Sequence, residues 1–168
     1  MTASAPLERT LVLLKPDAVK RGLMGEIISR FERAGLKVVG CRFRQIDRAL
    51  AIRHYFDIAE RRGENVLDML LTFMTSGPVL SLCVEGIDAA ENVRRLVGAT
   101  EPKAASPGTI RGDYAHVSYG HSDATGRAIQ NLVHASGNSE EAKFEVSLWF
   151  EESDLIAYKL AAEEFILG

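Results

Sequence analysis

Short apolar runs alternate with stretches of helical period along this chain, and that alternation constrains the fold more than any other feature. RTLVLLK, residues 9–15, reads as a strand closed by Lys15, Pro16 and Asp17. KVVGCRFRQI, residues 37–46, alternates loosely and reads as a second strand. VLSLCVEG, residues 79–86, is apolar enough to be central. Between the first two runs, Ile27, Ile28, Phe31 and Leu36 recur at helical spacing, with Gly35 as a stop. Asp47 is an N-cap for a helix that continues to Gly63. ENVLDMLLTFM makes a further helix ended by Ser76-Gly77-Pro78, and IDAAENVRRLVG makes a short one ended by Gly98.

The stretch from Ala99 to Gly112 has no period and reads as a loop, and Ser118 to Arg127 reads as turn-like. Asn131 to His134 suits a brief last strand. Asn138 with Glu141 three residues on resembles a capping box that opens the helix EEAKFEVSLWF. The amphipathic tail is expected to pack on the body or on another subunit. The order is β-α-β-α-α-β-α-loop-β-α; without one helix pair it is βαββαβ, the ferredoxin-like α+β arrangement with an antiparallel sheet. Helices of such a fold cover one sheet face, so the other needs a separate cover, and oligomerisation is expected. The 168 residues suit a single domain, with a core over 8–158, an insertion over 118–130 and a tail over 159–168.

The charge balance narrows the ligand. Net charge is −3, from 20 basic and 23 acidic side chains, which argues against nucleic acid as the primary partner. Fourteen of the 20 basic residues are Arg, the side chain suited to bidentate contacts with phosphate and carboxylate. A small anionic ligand fits that set better than a polymer does. Cys41 and Cys83 sit among apolar neighbours and are expected to be buried free thiols. MTASAPLERT has no apolar leader core, and no apolar run approaches the ~20 residues of a membrane span, so a cytoplasmic location is expected.

The familiar nucleotide loops are missing. GHSDATGR, residues 120–127, has one spacer too many for a P-loop and lacks its Lys and Ser/Thr, and there is no G-x-G-x-x-G. Of the four histidines, His116 and His121 with Asp123 could approach one another, but no metal-ligand spacing supports a protein-held ion. The informative residues are polar groups beside tight turns: Lys15, Arg94, Thr100, Arg111, Asn131 and His134. Cations and donors of this kind suit a triphosphate. His134 is the one side chain among them able to act as a nucleophile near neutral pH.

ERTLVLLKPDAVKRGLMGEIISRFERAGLKVVG, followed in order by HYFD, SGPV, VGATEP, SPGTIRGDYA and NLVHASG…EEAKFEVSLWF, resembles the nucleoside diphosphate kinase family over about residues 8–158. The resemblance implies a ferredoxin-like fold and ping-pong transfer of a γ-phosphoryl group from a nucleoside triphosphate, typically ATP, to a diphosphate, balancing nucleotide pools. It implies His134 as the nucleophile. Lys15, Tyr55, Arg94, Thr100, Arg111 and Asn131 match the phosphate- and sugar-binding positions. Glu145 matches the acid that orients the histidine ring, and Ser136 the serine near that acid. Mg²⁺ would arrive on the nucleotide rather than on protein ligands. Members are usually hexamers, sometimes tetramers.

Three departures stand out. The family's HGSD is His134-Ala135-Ser136-Gly137 here, so a glycine and an acid are missing. The base-stacking aromatic is absent from Arg61 to Leu67, which leaves Val66 or Leu67 as an aliphatic platform and predicts weaker stacking. The polar insertion before Asn131 is expected to be a surface excursion, at a subunit contact for instance. The first two departures keep open a non-enzymatic nucleotide-binding module on the same fold.

Overall fold

The computed structural model describes residues 7–167; residues 1–6, which open the segment read as lacking a leader, and Gly168 at the end of the tail lie outside the described residues. In chain order the elements are β1 (Glu8–Leu14), α1 (Pro16–Lys20), α2 (Met24–Arg33), β2 (Lys37–Arg44), α3 (Arg48–His54), α4 (Ile58–Arg62) and α5 (Glu64–Met74). They continue with β3 (Val79–Gly86), α6 (Ala89–Val97), α7 (Ile110–Tyr114), α8 (Tyr119–Ala124), β4 (Val133–Ala135), α9 (Ser139–Trp149) and α10 (Glu163–Ile166). The strands form one antiparallel sheet in the order β2-β3-β1-β4, the order of a ferredoxin-like fold. Leu11 pairs with Cys83 and Leu13 with His134, so the nucleophile candidate sits on an edge strand beside one of the two central strands.

Leu11, Val12, Leu13 and Leu14 are all fully buried, because both faces of β1 are covered. On one face Val12, Leu14, Leu82 and Val84 pack with Ile27 and Phe31 of α2 and Val93 and Val97 of α6. On the other, Leu11, Leu13, Val39 and Cys83 pack with Ala51 of α3, Leu71 and Met74 of α5, and Trp149 of α9. The second face is thus covered by the helical excursion between β2 and β3 and by α9, within one chain. The expected need for a partner on that face disappears. The unbroken apolar run of β1 already carried this information, since a strand buried on both faces does not alternate.

Other expectations change locally. The helix from Asp47 does not reach Gly63; it breaks after His54 and resumes at Ile58. Adjacent residues on a regular helix point about 100° apart. Leaving the helix at Tyr55 lets both His54 and Tyr55 turn inward, at 5% and 8% exposure. The Ala99–Gly112 loop holds a 3₁₀ turn at Pro102–Ala104 and runs into α7, which Thr109 caps by accepting from the Gly112 amide. Ser118–Arg127 is not merely turn-like: Ser118 accepts from the His121 amide and opens α8. Cys83 is buried but Cys41 is exposed, and both thiols are free. An irregularity between Val38 and Gly40 resets the alternation of β2, an edge strand, so Cys41 and Phe43 face outward. The tail packs on the body, as expected: Lys37 Nζ donates to Glu163 Oε1 at 3.1 Å, and just before the tail the Ile156 amide donates to the Val39 carbonyl at 2.8 Å and the Tyr158 hydroxyl to that of Val38 at 2.9 Å, along the open edge of β2. No helix among the described residues is long and apolar enough to cross a membrane.

Candidate active site

The site begins with a strained residue. Leu132, between Asn131 and β4, has φ of +69°, a conformation that non-glycine residues adopt at a cost of order 1–3 kcal/mol. It is held from two sides. Its amide donates to Asp17 Oδ2 at 3.0 Å, and its carbonyl accepts from the Lys15 amide at 2.8 Å. The turn after β1 therefore fixes where β4 starts, and β4 carries His134.

The His134 ring is held by one nitrogen. Nε2 lies 2.9 Å from each Glu145 carboxylate oxygen, so the network assigns the ring proton to Nε2. Nδ1 is then the nitrogen with a free lone pair, and it has no hydrogen-bond partner among the described residues. Ser136 donates to Glu145 Oε2 at 2.5 Å, which fixes the carboxylate in turn. Burial, together with the charges of Lys15, Arg111 and Arg94, lowers the His134 pKa to about 3, so the imidazole is neutral at physiological pH. Burial raises the Glu145 carboxyl above its ordinary value, with His54, Ser136 and Glu141 opposing the rise.

Lys15 is 6% exposed, and its ammonium donates to Asn131 Oδ1 at 2.8 Å. Burial and the neighbouring Arg111 lower its pKa to about 8. The Asn131 amide group donates in turn to the Thr100 carbonyl at 2.8 Å. Arg111 spends one N–H from each nitrogen on carbonyls: Nε to Asn131 at 3.1 Å, and the terminal pair to Gly98 at 2.9 Å and Val133 at 2.5 Å. It therefore braces β4 while keeping two N–H groups for a ligand. Burial lowers its pKa to about 10. Gly98 is required at the turn below: its φ is +87°, and a Cβ there would lie 2.4 Å from Thr109 Oγ1.

These groups line one cleft of about 460 Å³. Lys15, Tyr55, Arg94, Thr100, Arg111, Asn131 and His134 all border it. Glu145 and Ser136 lie behind the histidine, at 3% and 0% exposure. The cleft's outer part has an apolar strip of Ile58, Val66, Met69 and Leu70. Of the two aliphatic platform candidates, Val66 borders the cleft and Leu67 packs into the core.

Sequence reasoning missed three parts. His54 is buried at the site: its ring meets that of His134 edge-on at 4.5 Å, and its Nδ1 accepts from Trp149 Nε1 at 3.3 Å. Burial first, then the charge of His134, lowers its pKa to about 3. Asp17, in the Lys-Pro-Asp turn, holds the strained Leu132, and only the resemblance could have pointed to it. The insertion, mostly exposed as a surface excursion would be, also borders the cleft through Tyr119, Ser122, Asp123 and Arg127. It is pinned by the Tyr119 amide, which donates to Glu101 Oε1 at 2.9 Å. Its far side, with His116 and His121, borders a second cavity of about 230 Å³, whereas Asp123 faces the cleft, so that trio does not converge. Among the described residues the one group with metal-ligand proximity is His54, His134 and Glu145. Those groups are already hydrogen-bonded to one another or to Trp149.

A half-buried neutral imidazole with one free nitrogen, facing a cationic cleft, can accept a phosphoryl group. Comparison with known proteins gives the same direction. The family model for nucleoside diphosphate kinase matches residues 8–155. The nucleoside diphosphate kinase of Pyrococcus furiosus is 48% identical over 95% of this chain and 92% of its own. The Borrelia burgdorferi nucleoside-diphosphate kinase, solved as a transition-state mimic with vanadate and ADP, superposes with a TM-score of 0.91 at 45% identity, over 94% of this chain and 95% of that one. A halophilic nucleoside diphosphate kinase from Halobacterium salinarum in complex with CDP gives 0.79 at 42% identity, over 95% and 97%.

Proposed function

Because the chain belongs to the nucleoside diphosphate kinase family, and so is a phosphotransferase acting between nucleotides, we propose that His134 is the group that carries the phosphate. The observation that supports this most is the division of labour on its ring: Nε2–H is spent on Glu145, and Nδ1 is left for the cleft.

In the first half-reaction the Nδ1 lone pair forms a bond to the γ-phosphorus while the bond to the β,γ-bridging oxygen breaks, releasing a nucleoside diphosphate. In the second, a terminal phosphate oxygen of another diphosphate attacks that phosphorus and the N–P bond breaks. No proton leaves Nε2 in either step. The transition state is loose, so catalysis rests on position and charge. Lys15, Arg94 and the two spare N–H groups of Arg111 offset the charge on the migrating group. Thr100 and Asn131 hold phosphate and sugar oxygens, and Tyr55 closes the inner wall. Ser136 keeps Glu145 in place.

Mg²⁺ is the cation we assign to the nucleotide, and its charge would offset that of the phosphates. Asp123, on the cleft wall, is a hard oxygen donor that suits this ion through water. The apolar strip where a base would lie offers van der Waals contact that does not distinguish bases, which supports broad base tolerance. We read residues 1–168 as a single catalytic domain of a cytoplasmic homo-oligomer, a hexamer or alternatively a tetramer. Outward-facing Phe43 and Phe56, at 58% and 68% exposure, support assembly.

The test is exchange between ATP and several nucleoside diphosphates, with wild type and His134→Ala compared. Exchange with all diphosphates in the wild type, and none in the variant, is expected. Nucleotide binding without exchange in the wild type would favour the non-enzymatic module instead.

A further inference from the structure

Gly137 stands where the family motif carries an acid, and that departure leads to a residue which neither the motif set nor the relatives assign. The Glu141 carboxylate, one helical turn later, accepts from the Gly137 amide at 3.0 Å. A Cβ on Gly137 would lie 2.3 Å from Glu141 Oε2, far inside contact distance. A side chain at 137 and this pose of Glu141 therefore exclude one another.

Glu141 is the third residue of α9, and its own amide donates to Asn138 Oδ1 at 2.9 Å. In a regular capping box the acid would return to the Asn138 amide. Here it reaches one residue further, to the turn that follows His134. Glu141 borders the cleft and precedes Glu145 by four residues, so both carboxylates rise from one face of the helix. Burial and the Glu145 charge hold the Glu141 carboxyl above its ordinary value.

We propose that Glu141 is a positioning residue for the nucleophile: the acid missing at 137 is delivered from 141, and it clamps the turn joining the strand of His134 to the helix of Glu145. This rests on His134 being the nucleophile. Loss of the clamp lets that turn shift, and with it the angle between the imidazole and its carboxylate. Gly137 leaves the room that this pose of the Glu141 carboxylate occupies, and a side chain at 137 would displace it.

The test uses the full chain with Glu141→Ala, Gly137→Asp/Glu141→Ala and Gly137→Ala/Glu141→Ala, read by kcat, KM, Tm and Mg²⁺ dependence. Glu141→Ala is expected to lower kcat about ten-fold and to leave KM within about two-fold, the size of one lost charge-assisted hydrogen bond. Gly137→Asp/Glu141→Ala should regain most of kcat. Gly137→Ala/Glu141→Ala, which fills the same space without the acid, should not, at a comparable Tm. Equal kcat in the two double variants, or unchanged kcat in Glu141→Ala, overturns the proposal. So does a loss that merely tracks Tm, which assigns Glu141 to helix capping. A loss recovered at high Mg²⁺ overturns it too, assigning Glu141 to the cation. Exchange that survives in His134→Ala defeats the nucleophile assignment itself, whatever the Glu141 variants do.

Discussion

His134 and His54 share a consequence that can be measured away from catalysis. Burial, with nearby charge, lowers both pKa values from 6.5 to about 3. In the unfolded chain these imidazoles take up protons near their ordinary value, whereas the folded chain keeps them neutral. Their effect on stability is absent above 6.5 and becomes a growing loss as pH falls from there toward 3. His54→Gln should flatten the drop of Tm between neutral and mildly acid pH, and an unchanged slope would contradict the burial argument. Val66 gives a second prediction at this scale. A base stacked on an aromatic gains ~1–3 kcal/mol, so Val66→Phe should lower KM for nucleotides about five-fold with kcat unaffected. Lys15, Arg94, Thr100, Arg111 and Asn131 could be singled out in the sequence as polar groups beside turns, each weak alone and joined by the resemblance, and the structure brings them to one cleft. His54 could not be singled out, because a buried histidine against a tryptophan leaves no spacing signal.

Elements differ in how much the sequence disclosed. The order of strands was readable from short apolar runs, and the sheet order follows from it. The break after α3 was not, since helical periodicity continues through Tyr55 and the break serves two inward rings. That the insertion borders the cleft was hidden for a related reason. Ser118 and Gly120 look like turn residues, yet Ser118 caps α8, and contacts distant in sequence, Tyr119 with Glu101 and Val117 with Lys103, hold that helix beside the cleft. The guanidinium of Arg127 has no ion pair or hydrogen bond among the described residues and borders the cleft. An exposed cation facing a polyphosphate is worth under about 1 kcal/mol, so Arg127→Ala should raise KM about three-fold and spare kcat. Equal KM in variant and wild type would return the insertion to a surface role.

For the whole molecule, the covered second face matters most. Apolar β1 and β3 are buried by helices of the same chain, so assembly is not needed to complete the core. Any oligomer must instead use outward residues such as Phe43 on the β2 edge and Phe56 beside Phe144. Phe43→Glu is expected to shift the sedimentation profile toward smaller species without unfolding the subunit; an unchanged profile would exclude that edge. The central claim is that the cleft works through a covalent intermediate on one nitrogen of His134. Incubating the protein with γ-labelled ATP and no acceptor tests it most directly. One acid-labile, base-stable label per subunit on His134, discharged by adding a nucleoside diphosphate, is the expected result. A label that persists in His134→Ala, or exchange without any labelled protein, would contradict it.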